Sequence, residues 1–240
     1  MSYRKRRIGG FLGLLVVILG VILFNPNSYE TTYTPATDVS ATEGIVPALE
    51  ILEKLEVKGR APKTGYDREQ FYKSWPDIDG CSLRQRIIKR DLGDSATLDT
   101  DNCTVISGEF DEPYTGSHLI FYQKSDLSSG LQIDHVVALS DAWQKGAQNL
   151  TAGERRALAT DPLNLLAVDS KTNQNKSDGD AATWLPPNKR FRCAYVARQV
   201  SVKYKSHLWV TQAEKDMIIK ILNSCPNEPS VGIEETKDTP

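Results

Sequence analysis

The longest apolar run in the chain covers residues 8–24 and carries no charge. It follows Arg4-Lys5-Arg6-Arg7 and ends at Asn25-Pro26-Asn27. A basic cluster before such a run is the pattern of a targeting segment, so residues 1–26 read as a signal anchor or a signal peptide. The run is long for a cleaved signal, just long enough for one helix to span a bilayer, and no small-x-small cleavage site follows it. A membrane anchor is therefore favoured over a cleaved signal. The arginines stay in the cytoplasm and the rest of the chain is expected outside it, either on the outer face of the membrane or secreted. Residues 27–41, rich in Thr, Ser, Asn and Pro, predict a flexible tether. Residues 226–240 are polar, acidic and proline-bearing and predict a disordered tail. One folded domain is expected over 42–225.

Within that domain the spacing of apolar positions predicts short helices and few strands. Ile45, Leu49, Leu52 and Leu55 share one face of a helix over 45–55. Asp67 can cap a helix reaching Tyr72, and Ser82 one reaching Arg90 that buries Leu83 and Ile87. Strands over 103–107 and 117–122 flank the turn Asp111-Glu112-Pro113-Tyr114-Thr115-Gly116. A strand over 131–137 leads to a short helix over 140–146. Thr151 starts a helix ending near Thr160, with Glu154 completing a capping box. A strand over 164–168 is followed by a helix opening at Ser170. Residues 193–203 predict helical or mixed structure, and Thr211 caps a last helix to Leu222, with Glu214 again in capping-box position. Helices exceed strands, the strands are short, and no internal repeat is visible. The fold class is α+β.

Composition changes this picture little. Apolar residues at 40% and charged residues at 25% are ordinary for a globular chain. The net charge of −2 excludes a molecule-wide basic field, so any nucleic-acid surface must be local. Two such clusters exist, one at Arg84, Arg86, Lys89 and Arg90 and one over 189–205. Cys81, Cys103, Cys193 and Cys225 form no CxxC pair, which argues against zinc. Four cysteines in an exported chain predict two disulfides. Cys81–Cys103 and Cys193–Cys225 are favoured among three connectivities because each closes a short loop. Free buried thiols are the alternative.

The chemistry concentrates in two segments. One is Ile133-Asp134-His135-Val136-Val137, and the other runs from Asn164 through Asn173 to Lys176. His118 and His207, the remaining histidines, lack comparable neighbours. Two strands and the helix carrying Asn173 make a β-β-α unit. Adjacent residues on a strand point to opposite faces, so Asp134 and His135 can serve one site only where the strand ends or twists. Asp134 then offers a carboxylate and Asn173 an amide oxygen, hard ligands suited to Mg²⁺ or Mn²⁺. Tyr114 either lines the cleft or packs its turn. Trp143, Trp184 and Trp209 can stack bases, but large aromatics are expected in the core of a domain this small.

These segments, together with Gly80-Cys81-Ser82-Leu83-Arg84-Gln85-Arg86, the Asp111-Gly116 turn, Ala142-Trp143-Gln144-Lys145-Gly146-Ala147, Asp161-Pro162-Leu163-Asn164-Leu165, Asn175-Lys176-Ser177-Asp178 and Trp184-Leu185-Pro186-Pro187, resemble the HNH, or ββα-metal, nuclease superfamily. Within it the chain is similar to secreted actinobacterial HNH proteins related to the GmrSD C-terminal domain. The resemblance runs from about Tyr66 to Cys225. It implies a metal-binding acid at Asp134, a water-activating base at His135, and a metal-binding amide at Asn173, with Asn175 as a rival. It also implies an asparagine at Asn164 that orients the loop or the histidine, and a lysine near the phosphate at Lys176. Ala138 stands where the family often has proline, and Thr160 where it often has asparagine.

The activity implied is endonucleolytic hydrolysis leaving 5′-phosphate and 3′-hydroxyl ends, with Arg84 and Arg155 as further phosphate contacts. DNA is favoured over RNA, with low sequence specificity. A monomer is expected and no protein partner is implied. The alternatives are a noncatalytic nucleic-acid-binding protein at the cell surface and a structural envelope protein with a vestigial site.

Overall fold

A computed structural model of the chain describes residues 45–234. The targeting segment expected over 1–26 and the tether over 27–41 lie outside the described residues, as do residues 235–240. Among the described residues, no helix is long and apolar enough to cross a membrane.

The strands are β1 (Ile45–Pro47), β2 (Asp77–Ile78), β3 (Cys81–Ser82), β4 (Thr97–Leu98), β5 (Val105–Asp111), β6 (His118–Phe121), β7 (Leu131–His135), β8 (Leu165–Asp169) and β9 (Pro229–Glu234). The helices are α1 (Ala48–Glu53), α2 (Leu83–Leu92), α3 (Lys124–Gly130), α4 (Leu139–Gln144), α5 (Ala152–Thr160), α6 (Ser170–Lys176), α7 (Arg192–Lys205) and α8 (Gln212–Leu222). The strands pair as β1-β9, β2-β3, β4-β5-β6 and β7-β8. This is the α+β class expected.

β8 reads Leu-Leu-Ala-Val without alternation because both its faces are buried. Leu166 and Val168 enter a core with α1, α7 and α8, while Leu165 and Ala167 enter another with α2, β5 and β6. A third core gathers Phe71, Val137, Leu139, Trp143 and Leu158. The β7-β8 ladder pairs Asp134 with Leu166 and His135 with Leu165. It thus forms a wall between two cores, and its end is held on both sides.

Local chemistry explains several boundaries. Thr151 and Glu154 make the expected capping box, each side chain bonding the other residue's backbone N–H. α2 runs two residues beyond Arg90 and stops at Gly93, whose φ of +59° favours glycine over any residue with a Cβ. Asp67 accepts from the Glu69 N–H as expected, but the turn it caps is a single 3₁₀ turn, Arg68–Gln70. Both expected disulfides are present, Cys81–Cys103 and Cys193–Cys225.

Four expectations need correction. The helix over 45–55 is a strand followed by a shorter helix, because residues 45–47 pair with β9. β9 lies inside the segment expected to be a disordered tail. There Ser230 is buried and bonds the Val46 carbonyl at 2.7 Å, and Ile233 packs on the first core. Glu214 does not close a capping box. Thr211 accepts from its N–H, but its carboxylate turns inward to Lys145 at 2.6 Å and Lys203 at 2.6 Å. Finally, α3 was not expected, since its sequence is polar and buries only Leu127.

Candidate active site

The site grows from the end of β7. Gln132 and Asp134 face α6, while His135 faces α5 and the segment around Trp75, as strand alternation requires. Among the described residues β8 is the only strand neighbour of β7, and β7 stops at His135. Its free edge therefore lets both faces reach one cleft of about 420 Å³, lined by Asp134, His135, Asn173, Arg84, Arg68 and Trp75 among others.

His135 is buried, and its Nε2 lies 2.9 Å from the Ala159 carbonyl. A carbonyl only accepts, so Nε2 carries the proton and Nδ1 keeps the lone pair. Burial pushes its pKa down to about 3. The Ala159 bond opposes this, and Arg68 and Lys176 add to it. The imidazole is thus neutral at physiological pH. Trp75 lies parallel to it within 7°, ring centroids 6.0 Å apart, and Tyr72 is 5.8 Å away.

Asp134 is held from two sides. Its Oδ1 accepts from Lys176 Nζ at 2.9 Å, and its Oδ2 from the Tyr114 hydroxyl at 2.5 Å. Burial raises its pKa, while Lys176 and Tyr114 pull it back. Burial also raises the Tyr114 phenol far above its ordinary range, so the hydroxyl stays a donor. The Asp111-Gly116 turn delivers this tyrosine. Buried Glu112 accepts from the N–H groups of Tyr114 and Thr115 at 3.0 and 2.6 Å, and Gly116, at φ +76°, closes the turn. The sequence marks the turn but not the tyrosine's target, which sits twenty residues away.

Lys176 is corrected from its expected place. It is fully buried, donating also to the His135 carbonyl at 2.9 Å, so it does not reach out to a phosphate. It stands three residues after Asn173, on the same face of α6, which aims it beneath the strand. Asn173 donates its amide to Gln132 Oε1 at 2.9 Å, leaving its own oxygen free in the cleft, whereas Asn175 is exposed and lines no part of it. Asn164 is fully buried. Its Oδ1 accepts from Val137 N at 2.8 Å, and its Nδ2 donates to the Val137 and Leu158 carbonyls. It fastens the loop that follows His135.

The arginines separate. Arg84 is half-buried in the cleft wall, its one hydrogen bond a 3.5 Å contact to the Leu131 carbonyl, and burial lowers its pKa. Arg68, which sequence reasoning did not single out, lines the cleft beside Tyr72. Arg155 is corrected: it packs over Trp143 and bonds the Gln70 and Leu150 carbonyls, away from the cleft. Trp143 is a core residue as expected, Trp184 packs partly buried against the first core, and Trp209 bonds the Gly59 carbonyl.

The cleft offers a hard-oxygen donor set, the Asp134 carboxylate and the Asn173 amide, whose chemistry fits a divalent cation of the magnesium type. Among the described residues, Cys193, Cys225 and Glu228 also lie close together. Both sulfurs there are spent in a disulfide, so no thiolate is available to a metal.

Fold and cleft define a disulfide-bonded α+β domain with a buried carboxylate–imidazole pair on a strand–strand–helix unit. A family model described as GmrSD restriction endonucleases, C-terminal domain, matches residues 83–221, a span holding Tyr114, Asp134, His135, Asn164, Asn173 and Lys176. The chain belongs to that family. It is 35% identical over 181 residues to an uncharacterized secreted protein of Arthroderma benhamiae, covering 74% of this chain and 84% of that one. No solved structure matches it.

Proposed function

We propose that the chain is an exported, metal-dependent endonuclease of the HNH type that hydrolyses nucleic-acid phosphodiester bonds with a one-metal, histidine-base mechanism. The observation that carries this is the neutral His135, its Nδ1 lone pair free, in one cleft with Asp134 and Asn173. Asp134 and Asn173 would hold Mg²⁺ or Mn²⁺, which supplies charge neutralisation at the scissile phosphate. His135 Nδ1 takes the proton from the attacking water. The Ala159 carbonyl fixes the ring's tautomer and direction. Tyr114 and Lys176 fix the Asp134 carboxylate, and Asn164 holds the loop behind both. Arg84 meets a phosphate, which positions the strand without reading its sequence, in keeping with low specificity.

The family description names restriction endonucleases and supports a nucleic-acid substrate, of which DNA is the proposed one. The relative's name and the two disulfides support export, as the segment over 8–24 does. A substitution pair tests the division of roles. His135→Ala lowers cleavage by about 10²–10⁴-fold while Mn²⁺, counted by electron paramagnetic resonance with a duplex oligonucleotide present, stays bound. Adding Asp134→Ala removes the ion. Loss of Mn²⁺ from His135→Ala alone would make the histidine a ligand and redraw the roles. Nucleic-acid binding by the unmodified chain without any Mg²⁺-dependent cleavage would favour a noncatalytic binding protein.

A further inference from the structure

The ligand atoms of the cleft suit a divalent cation, but in the free protein the charged groups around them are mostly positive. Among the described residues, Asp134 is the only acidic side chain that lines the cleft. That carboxylate is already paired with Lys176, which is fully buried and pinned by a second bond to the His135 carbonyl, so it cannot swing away. Arg68 and Arg84 line the same cleft, and among the described residues neither has a carboxylate partner within ion-pair distance. Asn173 contributes only a dipole. Two arginines in the lining and the buried Lys176 behind it face one carboxylate, an excess of two positive charges around the site. A divalent cation approaching the free protein meets like charge and a carboxylate whose two oxygens already accept from Lys176 and Tyr114.

A phosphodiester reverses this. It pairs with the arginines, cancels the excess charge and brings its own oxygens to complete the ligand set. Resting on the nuclease reading above, we propose that the site binds the nucleic-acid phosphate first and the divalent cation second, with Lys176 as the positioning residue that keeps the free site from holding the cation tightly. Free-energy linkage then makes the coupling reciprocal: the factor by which nucleic acid raises metal affinity is the factor by which metal raises nucleic-acid affinity.

The test is calorimetric titration of Mn²⁺ into the full-length His135→Ala chain, in which cleavage is slowed about 10²–10⁴-fold, with and without a duplex oligonucleotide. The expected result is at least a tenfold higher Mn²⁺ affinity with DNA present. DNA binding should be measurable by fluorescence anisotropy in EDTA and tightened by saturating Mn²⁺ by that same factor. Lys176→Met in this background raises Mn²⁺ affinity in the absence of DNA and shrinks the coupling. Should circular dichroism find that variant unfolded, Arg84→Met, which leaves the Asp134–Lys176 pair intact, serves instead. It raises free-protein Mn²⁺ affinity by a smaller factor and weakens DNA binding in EDTA. Equal Mn²⁺ affinity with and without DNA, in a chain whose wild type cuts DNA, overturns the binding order and leaves the nuclease reading standing. No DNA binding and no cleavage by the wild type overturns both.

Discussion

One hydrogen bond decides what His135 can do. Its Nε2–H is given to the Ala159 carbonyl, so the lone pair is left on Nδ1. Burial does the rest by disfavouring the imidazolium. That has a consequence for stability. In the unfolded chain histidine takes a proton near pH 6.5, whereas native His135 does not until about pH 3. Between these values the unfolded state holds the extra proton, so stability falls as pH drops, by up to about 1.4 kcal/mol per pH unit from this group. Urea unfolding of metal-free protein at pH 4, 5 and 7 should give this slope, and His135→Ala should flatten it; identical slopes would place the imidazole in water. That Asp134, His135 and Asn173 share one cleft was legible in the sequence because chemistry-bearing residue types recur there at a recognisable spacing. The true targets of Tyr114 and Lys176 were not. A lysine near a phosphate and a lysine under a carboxylate look alike until α6 is laid against β7.

At the scale of elements, the site depends on the turn out of β7. Asn164, just before β8, reaches back to both backbone groups of Val137, and its own carbonyl accepts from Val136. Removing its side chain leaves the Val137 N–H and two carbonyls buried without partners. Asn164→Ala should therefore cost about 2–4 kcal/mol in denaturant unfolding and lower cleavage at temperatures where the protein is still folded. Full activity in a destabilised variant would limit Asn164 to a packing role. The strands and helices of this unit were legible because their apolar runs are bounded by strong capping and turn residues. β1 and β9 were not, since a three-residue strand becomes one only through a partner nearly two hundred positions away. Glu214 misled for a related reason. Its spacing from Thr211 fits a capping box, but two buried lysines attract its carboxylate more strongly than a helix N-terminus does.

At the scale of the molecule, three cores and one buried charge network hold the cleft in place. Lys145, Lys203 and Arg60 meet Asp141, Asp180 and Glu214 with nearly every group out of water, and the charges balance. Burial works against the Lys203 ammonium, but Asp141 and Glu214 outweigh it and raise its pKa, while Lys145 and Arg60 hold Asp180 ionised against its own burial. Asp180 follows α6 closely, so the network anchors the end of the helix that carries Asn173. A buried network of this kind cannot be read from composition, because the same lysines would serve equally well on a solvated face. Conversion of supercoiled plasmid by the full chain, with Mg²⁺ and with EDTA, decides whether this scaffold carries the proposed metal-dependent phosphodiesterase site. Nicked and linear DNA should form with Mg²⁺, cease in EDTA and return when Mn²⁺ is added. Cleavage that survives the chelator, or an intact plasmid under all three conditions, would overturn the proposed function.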